Sequence, residues 1–177
     1  MSLHFIRDID KTKKQCGISV RELTELALLA AITFIGKLAF GFLPNIHPVT
    51  LMLIGITLVY GWKAFYATVV YIGLEIAVFG FGIWNLSYFY AWPLLVLAVQ
   101  IMRKTDSRMW WSFLACMHGL LFGAMCSLPY FVTGGIGCGI SYWIAGIPYD
   151  ILHGISNGVI VFFLLSPLRT TIERFRL

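Results

Sequence analysis

Charge is what this sequence most lacks. Only 12% of its 177 residues are Asp, Glu, Lys or Arg, and residues 109–149 contain none of them. Soluble domains carry about 25%. With 59% hydrophobic residues and a mean hydropathy of +0.85, a chain of this size cannot hide its apolar surface from water. A small domain buries only about 70% of the surface that its unfolded chain exposes. The composition points away from a soluble globular domain and toward an all-α integral membrane protein.

Other absences narrow the function. Four cysteines are present, but neither a CxxC pair nor a His/Cys zinc spacing is. Cys16, Cys116, Cys126 and Cys138 are expected to be free thiols, mostly acting as small hydrophobes. There is no GxSxG, Walker lysine motif, HExxH or helix-opening GxGxxG. No enzyme activity and no cofactor or metal is expected, and transport against a gradient would draw its energy from a partner or an ion. The first 25 residues hold nine charged side chains and no apolar run that could serve as a signal h-region. Residues 1–19 read as a cytoplasmic leader.

What the chain does have is apolar runs between turn signals. They lie at about 20–42, 47–60, 62–80, 84–102, 109–131 and 148–167. A bilayer core about 30 Å thick takes about 20 residues per helix, so one membrane domain, 1–177, with six transmembrane helices is expected. Cations sort by side. Arg7, Lys11, Lys13, Lys14, Arg21, Lys63, Arg103, Lys104, Arg108, Arg169, Arg174 and Arg176 fall on one side, and only Lys37 lies inside a run. By the positive-inside rule both termini are cytoplasmic. The run at 47–60 is short, but without it the basic 103–108 loop would face outward, so it is expected to cross with extended or tilted ends. The net charge of +5 is then a signal of topology, and nucleic acid is not implied.

Boundaries have local causes. Ser19 and Glu22 form a capping box, and Gly61 follows the second helix as a stop. Pro148 suits the first residue of the last helix, which places Asp150 in a first turn where the helix dipole favours an anion. The glycine-rich connection 132–147, with Tyr142 and Trp143, is expected to be a long, partly structured outer loop of functional weight.

Polar groups at membrane depth need a reason, because each costs several kcal/mol unless paired. Asp150, His153 and Asn157 share one helix face. They read either as a capped start bonded to neighbouring helices or as a wall of a ligand site opening outward. Glu75 is open to three placements: neutral, paired with Lys37, or near a headgroup. His118 reads as an interhelical hydrogen bonder. Trp84, Tyr88 and Trp92 form a stripe with Asn85 adjacent, which is either an interfacial belt or part of a site. The first outer loop adds Pro44, Asn45, His47 and Pro48. With Trp143 and the Asp150 face, these loops would converge on an apolar concavity suited to a flat organic ligand. Ala27 and Ala31, with Ala30 beside them, make a small-xxx-small face on the first helix.

These features resemble the substrate-binding S-components of energy-coupling factor (ECF) type ABC vitamin importers over nearly the whole chain. The segments LPNIHPVTLMLIGITLVYG, GFGIWNLSYFYAWPLLV and IPYDILHGISNGVIVFFLLSPL are similar to a Gram-positive, cobalamin-linked subgroup. The resemblance implies a multi-pass plasma-membrane protein that is not an enzyme. It would bind a vitamin at its outer face and topple in the lipid to deliver it. Its partners would be a transmembrane coupling subunit, docked through Ala27 and Ala31, and two ATPase subunits. Carried over residue by residue, the resemblance implicates Asn45, His47, Trp84, Asn85, Tyr88, Trp143, Asp150, His153 and Asn157 in binding. Cobalamin is the leading ligand, with riboflavin, pantothenate, pyridoxine and a queuosine precursor open. The absence of a dense cationic cluster counts against a polyanion such as folate. The rivals are a small membrane enzyme using Asp150 and His153 as an acid/base pair and an ion-coupled carrier using Glu75 and Lys37.

Overall fold

The structure, a computed structural model, describes residues 18–176. The leader cations Arg7, Lys11, Lys13 and Lys14, and Cys16, lie outside the described residues. All regular structure among the described residues is helical. The elements are α1 (Val20–Ala39), α2 (Val49–Tyr60), a 3₁₀ turn (Gly61–Lys63), α3 (Ala64–Phe79), α4 (Ile83–Ile101) and a hydrogen-bonded run Arg108–Phe175. Gly135 interrupts that run at φ 77°, ψ 179°, so it comprises two arms, α5 (108–134) and α6 (136–175).

The arms fold back on each other. Ser112 Oγ donates to the Gly158 carbonyl at 2.7 Å, the Gly123 N–H donates to Asp150 Oδ1 at 2.9 Å, and Tyr130 stacks on Tyr142 at 4.1 Å. The partners close symmetrically on Gly135, as an antiparallel hairpin demands, and only glycine adopts its left-handed backbone without strain. The expected outer loop 132–147 is therefore helix, apart from this turn. Pro148 lies well inside α6 and does not start it, and Asp150 is far from any helix terminus. The stretch is helical although most of it is exposed and glycine in a helix costs about 1 kcal/mol each. In an apolar surrounding, backbone groups left unpaired would cost more.

Helices successive in the chain alternate in direction. Lys63 meets Glu22 at 2.7 Å and Lys37 meets Glu75 at 2.6 Å, which makes α1 and α3 parallel. Pro48 packs against Gly36 and Tyr60 Oη donates to Glu25 at 2.9 Å, so α2 runs against α1 and the chain reverses at Gly61. The Gly61 stop is observed, with φ 61°. Arg103 Nε donates to the Leu58 carbonyl at 3.3 Å, setting α4 beside α2. Links from His153 to the Asn45 carbonyl (2.8 Å) and from Arg176 to the Val59 carbonyl (2.7 Å) make α6 parallel to α2. Every Lys and Arg among the described residues except Lys37 lies at the end of the bundle that holds Tyr60 and Lys63.

The capping box opens α1 as expected: Ser19 Oγ accepts from the Glu22 N–H, and Glu22 accepts from the Ser19 N–H, each at 3.1 Å. The short second run is not extended at its ends. At about 1.5 Å per residue, the twelve residues of α2 span about 18 Å. Every one of them is buried, as an all-round apolar helix should be. Arg103 and Arg176 hold its last carbonyls, where the helix dipole is negative. Sheathed by its neighbours, α2 has no need to reach the full thickness of the bundle.

Leu28, Ile32 and Ile35 on α1, Val69 on α3, Leu94 on α4, Leu121 on α5 and Phe163 on α6 are exposed, an apolar exterior far larger than water tolerates on a monomer. Two stretches, Val49–Phe79 and Arg108–Phe175, are long and apolar enough to cross a membrane.

Candidate functional site

At the end of the bundle opposite the cations, a cavity of about 460 Å³ opens between α4, α5, α6 and the segment leading into α2. Of the expected site residues, Asn45, Trp84, Tyr88 and Asp150 line it. The recessed start of α2 leaves room for it, since Asn45 sits just ahead of that helix. Asn45 is the only described non-glycine residue with positive φ, 55°, a conformation Asn tolerates. This bend turns its carbonyl toward α6, where it accepts from His153 Nδ1 at 2.8 Å.

Asp150 is held by architecture. Its Oδ1 accepts from the Gly123 backbone at 2.9 Å, and a methyl group at position 123 would overlap the carboxylate, so glycine is what allows α5 and α6 to approach here. Asp150 is 5% exposed, and its Oδ2 has no partner among the described residues.

His47, His153 and Trp92 are not on the lining but form one ring cluster, with His47 6.4 Å from Trp92. The His47 and His153 rings are 4.9 Å apart. The Trp84, Tyr88, Trp92 stripe is continuous, with T-shaped pairs at 5.3 and 5.7 Å. Trp92, fully buried, carries it into the core against Phe122 at 5.1 Å. His118 bonds the Ala91 carbonyl of α4 at 3.1 Å, the interhelical role expected of it. Asn157 is buried on α6 below His153. Asn85 is also buried, and its Oδ1 accepts from the Gly82 N–H at 2.6 Å, capping α4.

Trp143 does not line the cavity: it is 44% exposed, and its neighbour Tyr142 faces inward instead. Sequence reasoning also missed Phe122, Gly123, Cys126, Gly146 and Tyr149 on the lining. A helical reading of 136–149 would have found part of this set, because Tyr142, Gly146 and Tyr149 share a face with Asp150. Glu75 pairs with Lys37 at 2.6 Å behind Tyr88, whose ring lies 5.6 Å from the ammonium.

Asp150 and His153 bond to different backbone groups, Gly123 N–H and Asn45 carbonyl, and not to each other. What the arrangement offers chemically is aromatic surface with a few fixed polar hooks. No protein-family model, curated protein or solved structure matches this chain.

Proposed function

We propose that this chain is the substrate-binding subunit of an ECF-type ABC vitamin importer, a multi-pass protein of a Gram-positive plasma membrane. In this reading its six helical segments cross the bilayer with both termini in the cytoplasm. The outer cavity captures a vitamin, cobalamin first among the candidates, and the protein topples to deliver it when docked on a coupling subunit driven by two ATPases. The observation that carries the reading is the cavity lined by Asn45, Trp84, Tyr88 and Asp150 at the end away from the cations. Its volume of about 460 Å³ falls in the range of small-molecule sites, about 300–1,000 Å³. A corrinoid would seat one edge there, and a smaller ring system would enter whole.

Two further features fit. Ala30 is buried in the core, while Ala27 and Ala31 are half-buried beside exposed Leu28 and Ile32, so a shallow small-residue strip faces outward where another helix can approach closely. The acid/base enzyme reading loses support because Asp150 and His153 are tied to separate backbone partners. The ion-coupled carrier reading loses support because Glu75 and Lys37 are closed on each other.

Tagged full-length protein, extracted from its native membrane, should bring down the coupling subunit and ATPases. Ala27→Leu with Ala31→Leu should abolish this while leaving ligand binding intact. Titration with cobalamin in detergent should quench tryptophan fluorescence, Trp84 being on the cavity lining, with low-micromolar or tighter affinity. Full uptake by the isolated chain in liposomes without ATP would overturn the importer reading.

A further inference from the structure

The cavity carries one formal charge, and that charge is buried. Asp150 lines the cavity, and its Oδ2 is buried with no partner among the described residues, while Oδ1 is spent on the Gly123 N–H. No Lys or Arg lines the cavity. Lys37, 5.6 Å from the ring of Tyr88, is off the lining and is paired with Glu75 at 2.6 Å. The rings of Trp84, Tyr88, Phe122, Tyr142 and Tyr149 line the same cavity. The faces of aromatic rings are electron-rich and attract cations and N–H edges, so carboxylate and rings select in the same direction. A ligand carboxylate placed here would meet the Asp150 carboxylate with no cation on the lining to offset the repulsion.

We propose that Asp150 sets the ligand class of this site. The ligand is a ring compound, neutral or cationic, whose buried end donates an N–H (an amide, amine or ring N–H) to Asp150 Oδ2, and compounds ending in a carboxylate are rejected. This rests on the reading of the cavity as the vitamin site.

The test is a fluorescence titration of the purified full-length chain with cobalamin, riboflavin, thiamine, pantothenate and biotin. The expected result is binding confined to the first three, which offer N–H donors and carry no carboxylate, and none by pantothenate and biotin, which offer N–H donors but also carry a carboxylate. Asp150→Asn keeps an acceptor for the Gly123 N–H but replaces the charged oxygen, and it should weaken the bound compound about ten-fold or more. Tightest binding by pantothenate or biotin, or unchanged affinity in Asp150→Asn, would overturn the assignment. Should that variant not give monodisperse protein, the ranking of the five compounds by the unaltered chain decides. If the chain brings down its ATPases yet binds none of the five, the assignment falls and the importer reading stands. If a donor compound binds and no ATPase is recovered, the reverse holds.

Discussion

Lys37→Met is expected to destabilise the chain by about 3 kcal/mol, measured by thermal or denaturant unfolding in detergent, because it strands Glu75 in the core. Glu75 is fully buried and bonded to Lys37 at 2.6 Å, whereas Lys37 keeps 22% of its side chain exposed. The asymmetry predicts an order of effects. Glu75→Leu should cost less, since a freed lysine can extend its stem toward its exposed side. The double variant Lys37→Met with Glu75→Leu should recover most of the loss, because replacing a buried ion pair by apolar groups of similar volume is often neutral or better. A silent Lys37→Met would mean that the pair contributes nothing to holding α1 on α3. Lys37 also lies 5.6 Å from the ring of Tyr88, a wall of the cavity, so ligand affinity should fall along with stability in the single variant.

Gly119→Val is expected to be more damaging still, with loss of monodisperse protein on size-exclusion chromatography. A Cβ at position 119 would lie 2.7 Å from both the Cα and the N of Gly154. These are backbone atoms of a helix and cannot swing aside as the end of a side chain can, so the arms of the hairpin must separate. Overpacking of ordinary cores costs about 1–3 kcal/mol, and a backbone collision belongs at or above the top of that range. Gly137→Val, with nothing within 4 Å of its added Cβ, is the matched control and should change stability by less than about 0.5 kcal/mol. In any Gly119→Val protein that survives, ligand binding should be lost, because the Gly123–Asp150 contact lies one helical turn further along the same interface.

Parts of this architecture were legible in the residues themselves. The capping box of Ser19 and Glu22 and the stop at Gly61 are local: each involves groups within a few positions of one another, so the pattern carries its own geometry. The aromatic stripe of Trp84, Tyr88 and Trp92 was equally readable, because a spacing of four on a helix puts rings in contact whatever surrounds them. The glycines and Pro148 between 132 and 149 misled for the complementary reason. Local preference there favours a loop, but a loop would leave backbone groups unpaired among apolar side chains, whereas the helix keeps them bonded on either side of the turn at Gly135. With the loop misjudged, Trp143 was placed at the site instead of Tyr142, a displacement of one residue that rotates a side chain about 100° around a helix.

By itself the sequence determined that this is an all-helical, largely apolar chain whose cations gather at one end, because composition and charge distribution depend on no long-range contact. Which polar groups meet was decided only by the tertiary structure. Glu75 found Lys37, Asp150 found the Gly123 backbone, and His153 found the Asn45 carbonyl. Each pair joins residues far apart in sequence. A buried polar group states that it needs a partner, but only the packing of helices against one another decides which partner comes within reach.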